Sequence, residues 1–221
     1  MNVIFDFNGT LFPDSDINEW AWRQTIKELS EDRINFDEEY PKYKSVRNYE
    51  FLKQMFIKLD KPLIEEEINY WAKRKETEYY QKYCVEHNRK ELTKGTEDLL
   101  NYLKDNNISI NMCTSSIIEN VNFYFEYIGM KKWFDINKIV YDDGNYINKV
   151  EMYKDAARNI GSDIKDCLVF EDSYKSILEA IEAGCQNVIV VNNKNISDLK
   201  EIKQKINNIE EFDRSLLWKK Y

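Results

Sequence analysis

Residues 3–10 read VIFDFNGT, an apolar run that ends at an aspartate and is followed at once by a Gly-Thr turn. This pattern predicts a buried strand over residues 2–6 that brings the Asp6 carboxylate to its carboxyl end. In open α/β sheets, ligands bind just outside the carboxyl ends of the strands. A carboxylate at that place, backed by turn amides such as that of Gly9, can attack phosphorus or bind a metal ion.

Composition excludes several classes of function. The formal net charge of −8 argues against nucleic acid or an anionic membrane as a main partner. His87 is the only histidine, which excludes a multi-histidine metal site and argues against a Ser-His-Asp triad. The cysteines show no metal-binding spacing, the apolar stretches are too short to span a membrane, and a strand at residue 2 leaves no room for a signal peptide. We therefore expect a cytoplasmic protein, and nothing in the sequence requires more than a monomer.

Short apolar segments alternate with helical patterns through most of the chain. This alternation predicts an α/β fold with a Rossmann-like parallel sheet. The predicted strands cover residues 2–6, 108–113, 138–141, 167–170 and 187–191. Helical patterns separate the later strands at residues 95–105, 116–128, 150–160 and 173–183. Residues 198–221 are expected to form one helix and a short aromatic end.

Residues 14–90 interrupt the alternation directly after the first strand. They are rich in Glu, Lys, Tyr and Trp, show helical spacing and contain no convincing strand. We interpret this segment as an inserted α-helical cap domain, which leaves residues 1–13 and 91–221 to form the α/β core. A chain of 221 residues is long enough for two modest domains.

Two further predicted strands end in polar residues. Glu171 and Asp172 directly follow a buried apolar strand, and paired carboxylates at such a place are costly unless a cation neutralises them. Oxygen ligands point to Mg²⁺. The strand at 108–113 is followed by the hydroxyls of Thr114 and Ser115, which could bind phosphate or begin a helix.

Taken in chain order, the motifs at Asp6, Thr114, Lys149 and Glu171 resemble those of haloacid dehalogenase-superfamily hydrolases with a helical cap. The resemblance covers residues 3–191. Within that superfamily the chain is most similar to the β-phosphoglucomutase-like and phosphatase-like subgroup. The resemblance implies an Mg²⁺-dependent phosphatase that acts on a small phosphorylated metabolite through an aspartyl phosphate.

The resemblance also implies roles for individual residues of the core. Asp6 is expected to be the nucleophile, and Gly9, Thr114 and Ser115 to bind the transferring phosphate. Lys149 is expected to offset the charge of the nucleophile and the phosphate, although Val150 follows it where many relatives have proline.

The expected Mg²⁺ ligands are Asp6, Asp172 and the backbone carbonyl of Asn8, with Glu171 close by and contributing. Lys154 is the alternative to Lys149, but it falls in the middle of a predicted helix.

Two basic segments of the predicted cap resemble substrate-contacting positions of relatives. The loop at residues 44–48 carries Arg47, and the segment at residues 72–75 carries Lys75. The alternative for both is a solvated helix face.

Asn8 stands where the phosphatase and mutase branches carry a second aspartate that serves as general acid and base. An amide cannot transfer that proton, and the loss typically reduces the rate ~10²–10⁴-fold. The chain could be a slow or specialised phosphatase that uses a good leaving group or another base, such as Glu19 or Glu171. It could also run dehalogenase or phosphonate chemistry, or bind a phosphorylated ligand without efficient turnover. Mutase activity is disfavoured further, because Asn18 stands where mutase relatives carry a histidine.

Overall fold

The computed structural model describes residues 1–43, 46–193 and 195–218. Lys44 and Ser45, from the basic loop of the predicted cap, lie outside the described residues. The chain forms two compact units: Met1–Pro13 with Lys90–Tyr221, and Asp14–Arg89. We refer to them as the core unit and the helical unit.

A five-stranded parallel sheet, in the order β2-β1-β3-β4-β5, forms the centre of the core unit. Every residue of β3 and β4 is buried, as expected for a parallel sheet covered on both faces. The predicted α/β fold with a Rossmann-like parallel sheet is therefore confirmed. The strands are β1 (Asn2–Phe5), β2 (Ile110–Met112), β3 (Cys167–Glu171), β4 (Val188–Val191) and β5 (Ile202–Ile206).

The helical unit builds a hydrophobic core of its own from aromatic and aliphatic side chains. Trp22 packs edge-on against Phe51 with the ring centroids 4.7 Å apart, and both side chains are buried. A π-helical segment, Lys75–Gln81, joins two of its helices. The described residues of this unit form no strand; its α-helices are α1 (Ser15–Ser30), α2 (Phe36–Glu39), α3 (Asn48–Lys58), α4 (Glu65–Arg74) and α5 (Lys82–Glu86).

Four α-helices of the core unit connect the strands. The Asn148 side chain accepts a hydrogen bond from the Val150 amide at 3.0 Å and so caps the helix that begins with the predicted catalytic lysine. The helices are α6 (Thr96–Asp105), α7 (Ile118–Phe123), which a π-helical turn (Tyr124–Ile128) extends, α8 (Lys149–Arg158) and α9 (Tyr174–Glu182). Among the described residues, no helix combines the length and the hydropathy that a membrane span requires.

Two segments differ from the sequence prediction. Residues 138–141 do not form a strand, because only Val140 pairs, in an isolated parallel bridge with Cys113. Residues 202–206, expected in a C-terminal helix, form the edge strand β5. The sequence of β5, IKQKI, is mostly polar, since an edge strand is exposed along one side and lysines there discourage pairing with other chains.

We predict that Gly95→Ala destabilises the core unit. Gly95 precedes α6 with φ +86°, and a Cβ there would lie 2.3 Å from the backbone nitrogen of Glu210. Gly161 (φ +69°) is a matched control, because a Cβ there would meet no atom within 4 Å. Urea denaturation should show a loss of ~1–2 kcal/mol for Gly161→Ala from the backbone conformation alone. The loss for Gly95→Ala should exceed this by ~1–3 kcal/mol from overpacking, and equal losses would contradict the prediction.

Candidate active site

The carboxyl end of β1 brings Asp6 into contact with two residues that are distant in sequence. The Lys149 ammonium, at the start of α8, lies 2.7 Å from Asp6 Oδ1 and 2.6 Å from Glu171 Oε1. Asp6, Lys149 and Glu171 are 5%, 4% and 0% exposed, so this ion-paired group is withdrawn from water. The structure thus brings together three of the residues singled out from the sequence. Lys154, the alternative lysine, lies on the exposed side of α8 and pairs with Glu151 at 2.7 Å.

Burial and the neighbouring charges shift the pKa values of Asp6 and Lys149 in opposite directions. Burial raises the pKa of the Asp6 carboxyl to about 7, although the Lys149 ammonium opposes the rise. Burial alone would lower the pKa of Lys149, but the carboxylates of Asp6 and Glu171 outweigh it and hold that pKa well above its usual range. A buried carboxyl group with a strongly shifted pKa is characteristic of functional sites.

Glu171 is held by four hydrogen-bond donors. Besides Lys149, the Tyr153 hydroxyl donates to Oε1 at 2.7 Å, and the backbone amides of Asp172 and Ser173 donate to Oε2 at 2.9 and 3.0 Å. Both carboxylate oxygens are therefore engaged within the protein. Tyr153 was missed in the sequence, although its position four residues after Lys149 places it on the same face of α8.

Thr10 and Gly9, in the turn after β1, lie close to Asp172 at the end of β3. The Thr10 hydroxyl lies 3.3 Å from Asp6 Oδ2 and 3.5 Å from Asp172 Oδ1. Gly9 has φ +78°, and a Cβ there would lie only 2.3 Å from Asp172 Oδ2. Only glycine suits both this backbone conformation and this close approach. The side chain of Asn193, also missed in the sequence, donates to the backbone carbonyl of Asp172 at 2.8 Å.

The same residues can accept a divalent cation. One carboxylate oxygen each from Asp6, Glu171 and Asp172 lies within 4.8 Å of the others. The Lys149 ammonium pairs with two of these three carboxylates, those of Asp6 and Glu171, so the cluster carries an excess of acidic groups. A hard cation with oxygen ligands, such as Mg²⁺, matches this donor set. Because each oxygen of Glu171 already accepts two hydrogen bonds, we regard Asp6 and Asp172 as the better placed pair.

Asn8 lies in a group of neutral side chains. The Ser116 hydroxyl donates to Asn8 Oδ1 at 2.8 Å, and the Asn8 amide nitrogen donates to the Tyr124 hydroxyl at 3.0 Å. Ser116 and Tyr124 are themselves 2.9 Å apart, which closes a triangle of hydrogen bonds. The Thr114 hydroxyl reaches Asn8 Oδ1 at 3.5 Å. Tyr124 is fully buried and stacks on Phe7, with the ring centroids 4.0 Å apart.

Of the two hydroxyls expected to bind phosphate, only Thr114 lies beside Asn8. Thr114 is buried, Ser115 is exposed, and Ser116 provides the second hydroxyl next to Asn8. Tyr124 was missed because it lies in the π-helical turn after α7, where its only sequence signal is that of an aromatic residue in a core.

The predicted cap residues lie in the helical unit. Arg47 precedes α3 and is half-buried. Lys75 is 2% exposed, so its interpretation as part of a solvated helix face is wrong. Its ammonium donates to Asn18 and, at 2.9 Å, to Glu76. Glu19, considered as an alternative base, is partly exposed and pairs with Arg23 at 3.6 Å.

Comparison with known proteins identifies the family. Residues 1–184 match the family model of haloacid dehalogenase-like hydrolases. This chain is a member of the haloacid dehalogenase-like hydrolase family. The predicted family and the prediction of a hydrolase are thus confirmed.

Individual relatives resemble almost the whole chain. "Putative phosphatase YhcW" of Bacillus subtilis is 27% identical over 86% of this chain and 83% of its own length. The crystal structure of a family IA, variant 3 hydrolase from Entamoeba histolytica has a TM-score of 0.86 at 26% identity, with 98% of this chain and 97% of that chain covered. A β-phosphoglucomutase from Clostridium difficile shares the fold, with a TM-score of 0.77 at 22% identity over 98% and 95% of the two chains.

We predict that Lys149→Met destabilises this hydrolase far more than Lys154→Met. Removal of the Lys149 ammonium leaves the buried carboxylates of Asp6 and Glu171 facing each other, and breaking such a buried pair costs ~3–5 kcal/mol. The exposed pair of Lys154 and Glu151 should contribute less than about 1 kcal/mol. The free energies of unfolding in urea, measured without divalent cations, test the difference. Similar losses for the two variants would contradict it.

Proposed function

We propose that this hydrolase is an Mg²⁺-dependent phosphatase that releases phosphate from a small phosphorylated metabolite. The observation that carries the proposal is the convergence of Asp6, Lys149 and Asp172 at the carboxyl ends of β1 and β3. Such a site combines a nucleophile, a fixed positive charge and oxygen ligands for a cation, which are the components that phosphoryl transfer requires. The name of YhcW supports a phosphatase, and the β-phosphoglucomutase among the structural neighbours supports a phosphorylated metabolite.

In this proposal Asp6 attacks phosphorus and carries the phosphoryl group as an aspartyl phosphate. Lys149 holds Asp6 in place and offsets negative charge, while Glu171, fixed by Tyr153 and two backbone amides, holds Lys149. Thr114 is the hydroxyl of the β2 end that would bind a phosphate oxygen.

Mg²⁺ would be held by Asp6, Asp172 and the backbone carbonyl of Asn8. When bound, it would supply charge neutralisation for the phosphoryl oxygens. Gly9 and Thr10 would keep the two carboxylates at the distance that a shared cation requires.

The helical unit is the proposed cap, and Arg47 is its proposed substrate contact. Lys75, held by Asn18 and Glu76 inside that unit, would act by positioning its neighbours rather than as a mobile surface charge.

Asn8 is the observation that favours a second candidate, a protein that binds a phosphorylated ligand with little turnover. Its amide cannot act as general acid or base. Phosphate release in the steady state separates the two candidates, because only the phosphatase frees many equivalents of phosphate per protein.

We predict that Asp6→Asn abolishes phosphate release. The measurement is steady-state phosphate release from a panel of sugar phosphates, nucleotides and p-nitrophenyl phosphate, with Mg²⁺ and with an EDTA control. Asp166→Asn is the matched control, because Asp166 is an exposed aspartate of the core unit and should leave the rate unchanged. Equal activity of the wild type and Asp6→Asn would refute the assignment of the nucleophile.

We predict that Asp172→Asn raises the Mg²⁺ concentration needed for half-maximal activity by at least about tenfold, as expected for the loss of a carboxylate ligand. Asp166→Asn should not move this concentration. A lower maximal rate with an unchanged Mg²⁺ requirement would place Asp172 outside the metal site.

A further inference from the structure

Asp6 has different neighbours on its two sides, because β1 lies between β2 and β3 in the sheet. The end of β3 supplies ionised groups, the carboxylates of Glu171 and Asp172, and α8 adds the Lys149 ammonium. The chain that follows β2 supplies only neutral groups to the triangle around Asn8, namely hydroxyls. A phosphoryl group on Asp6 would thus meet charged groups from one side and the uncharged amide and hydroxyl groups of the triangle from the other.

The neutral side offers an amide and hydroxyl groups, which are much weaker acids than a carboxylic acid, so it is suited to orienting a leaving group rather than to protonating it. Asn8 Oδ1 accepts the Ser116 hydroxyl at 2.8 Å, and the Tyr124 hydroxyl lies 3.0 Å from the amide nitrogen and 3.2 Å from Oδ1, so the Asn8 side chain is held in place by both residues. Tyr124 is fully buried, and its hydroxyl forms part of this triangle. Glu171, considered from the sequence as a replacement base, has both carboxylate oxygens engaged by four donors.

We infer that this hydrolase prefers phosphate compounds whose leaving group departs without being protonated. These are mixed anhydrides with carboxylic acids and esters of acidic hydroxyl groups, such as phenols and enols, rather than esters of simple alcohols. The inference rests on the proposed phosphatase function and names its substrate class. Ser116 and Tyr124 are positioning residues, which hold the Asn8 amide as a hydrogen-bond donor in the site.

The chemistry proceeds in two steps. An Asp6 oxygen forms a bond to phosphorus as the bond from phosphorus to the leaving oxygen breaks, and the leaving group departs as an anion that takes its proton from solvent. Water then attacks phosphorus, the bond from phosphorus to Asp6 breaks, and the second proton of that water passes to a phosphate oxygen. Asn8 supplies no general acid to the first step and no general base to the second. A good leaving group makes the first step fast, so hydrolysis of the aspartyl phosphate then limits the rate.

The test is the dependence of kcat/KM on the acidity of the leaving group, measured with p-nitrophenyl, p-chlorophenyl, phenyl and p-methoxyphenyl phosphate and with an alkyl phosphate. For the wild type, kcat/KM should fall steeply as the leaving group becomes less acidic. Asn8→Asp should restore a general acid and raise kcat/KM for the alkyl ester by ~10²–10⁴-fold, while p-nitrophenyl phosphate gains far less. Rapid mixing of the wild type with p-nitrophenyl phosphate should also show a burst of about one equivalent of p-nitrophenol.

Tyr124→Phe distinguishes a positioning role from proton donation. If Tyr124 only orients Asn8, Tyr124→Phe should lower kcat/KM by a similar factor for every ester and keep the steep dependence. Tyr127→Phe, in the same π-helical turn but outside the triangle, is the matched control and should match the wild type. A dependence that is shallow in the wild type and becomes steep in Tyr124→Phe would show that Tyr124 donates a proton, which overturns the inference.

Failure of the inference and failure of the proposed function give different results. A shallow dependence in an active, Asp6-dependent enzyme overturns the substrate class alone and shows that another group, such as one from the helical unit, supplies the proton. Absence of Mg²⁺-dependent phosphate release from every substrate, in the wild type and in Asn8→Asp, overturns the phosphatase and the inference with it. The wild-type dependence alone decides the substrate class if Asn8→Asp does not fold.

Discussion

The ammonium of Lys149 is the interaction on which the site of this protein depends. It lies less than 3 Å from carboxylates on two neighbouring strands, β1 and β3, and all three groups are buried. Without it, the adjacent ends of these strands would bring like charges together in a medium of low dielectric constant. Lys149 is the first residue of α8 and directly follows the N-cap residue Asn148. Its ion pairs with Asp6 and Glu171 therefore connect the start of that helix to the centre of the sheet.

Glu171 links this ion pair to the remainder of the β3 end. One of its oxygens faces Lys149 and Tyr153, and the other accepts the backbone amides that lead into α9. A carboxylate at the start of a helix is favourable, because unpaired amides and the helix dipole attract negative charge there. The same side chain therefore fixes both the lysine and the turn that carries Asp172.

Much of the fold could be predicted from the sequence, and several residues of the candidate site could be singled out, for identifiable reasons. Buried parallel strands read as short apolar runs, so β1, β3 and β4 were recognised within a residue or two. Asp6 and Glu171 were singled out because a carboxylate at the end of a buried apolar run is costly unless a partner or a cation neutralises it. The edge strand β5 was missed because its exposed side is polar and leaves no apolar run.

The residues that modify the site were harder to predict, because they depend on tertiary packing. Tyr124 and Tyr153 have the signature of core aromatics. Although Tyr153 lies on the same face of α8 as Lys149, the pattern does not show that the two hydroxyls reach Asn8 and Glu171. Ser115 and Ser116 are neighbours of the same type, and only the path of the chain after β2 decides which of them faces Asn8. A single sequence fixes which residue types are available near a strand end, but not which of two adjacent hydroxyls turns inward.

The discontinuous core has a consequence for the order in which the chain can fold during synthesis. β1 leaves the ribosome first, yet Val3 pairs with Ile110 on one side and with Leu168 on the other. The helical unit, Asp14–Arg89, contains its own hydrophobic core and is complete before either partner strand exists. The segment that leads to Asp6 therefore has neither of its partner strands until residue 110 has been synthesised. Such a strand is a natural target for chaperones and a site of misassembly when synthesis is interrupted.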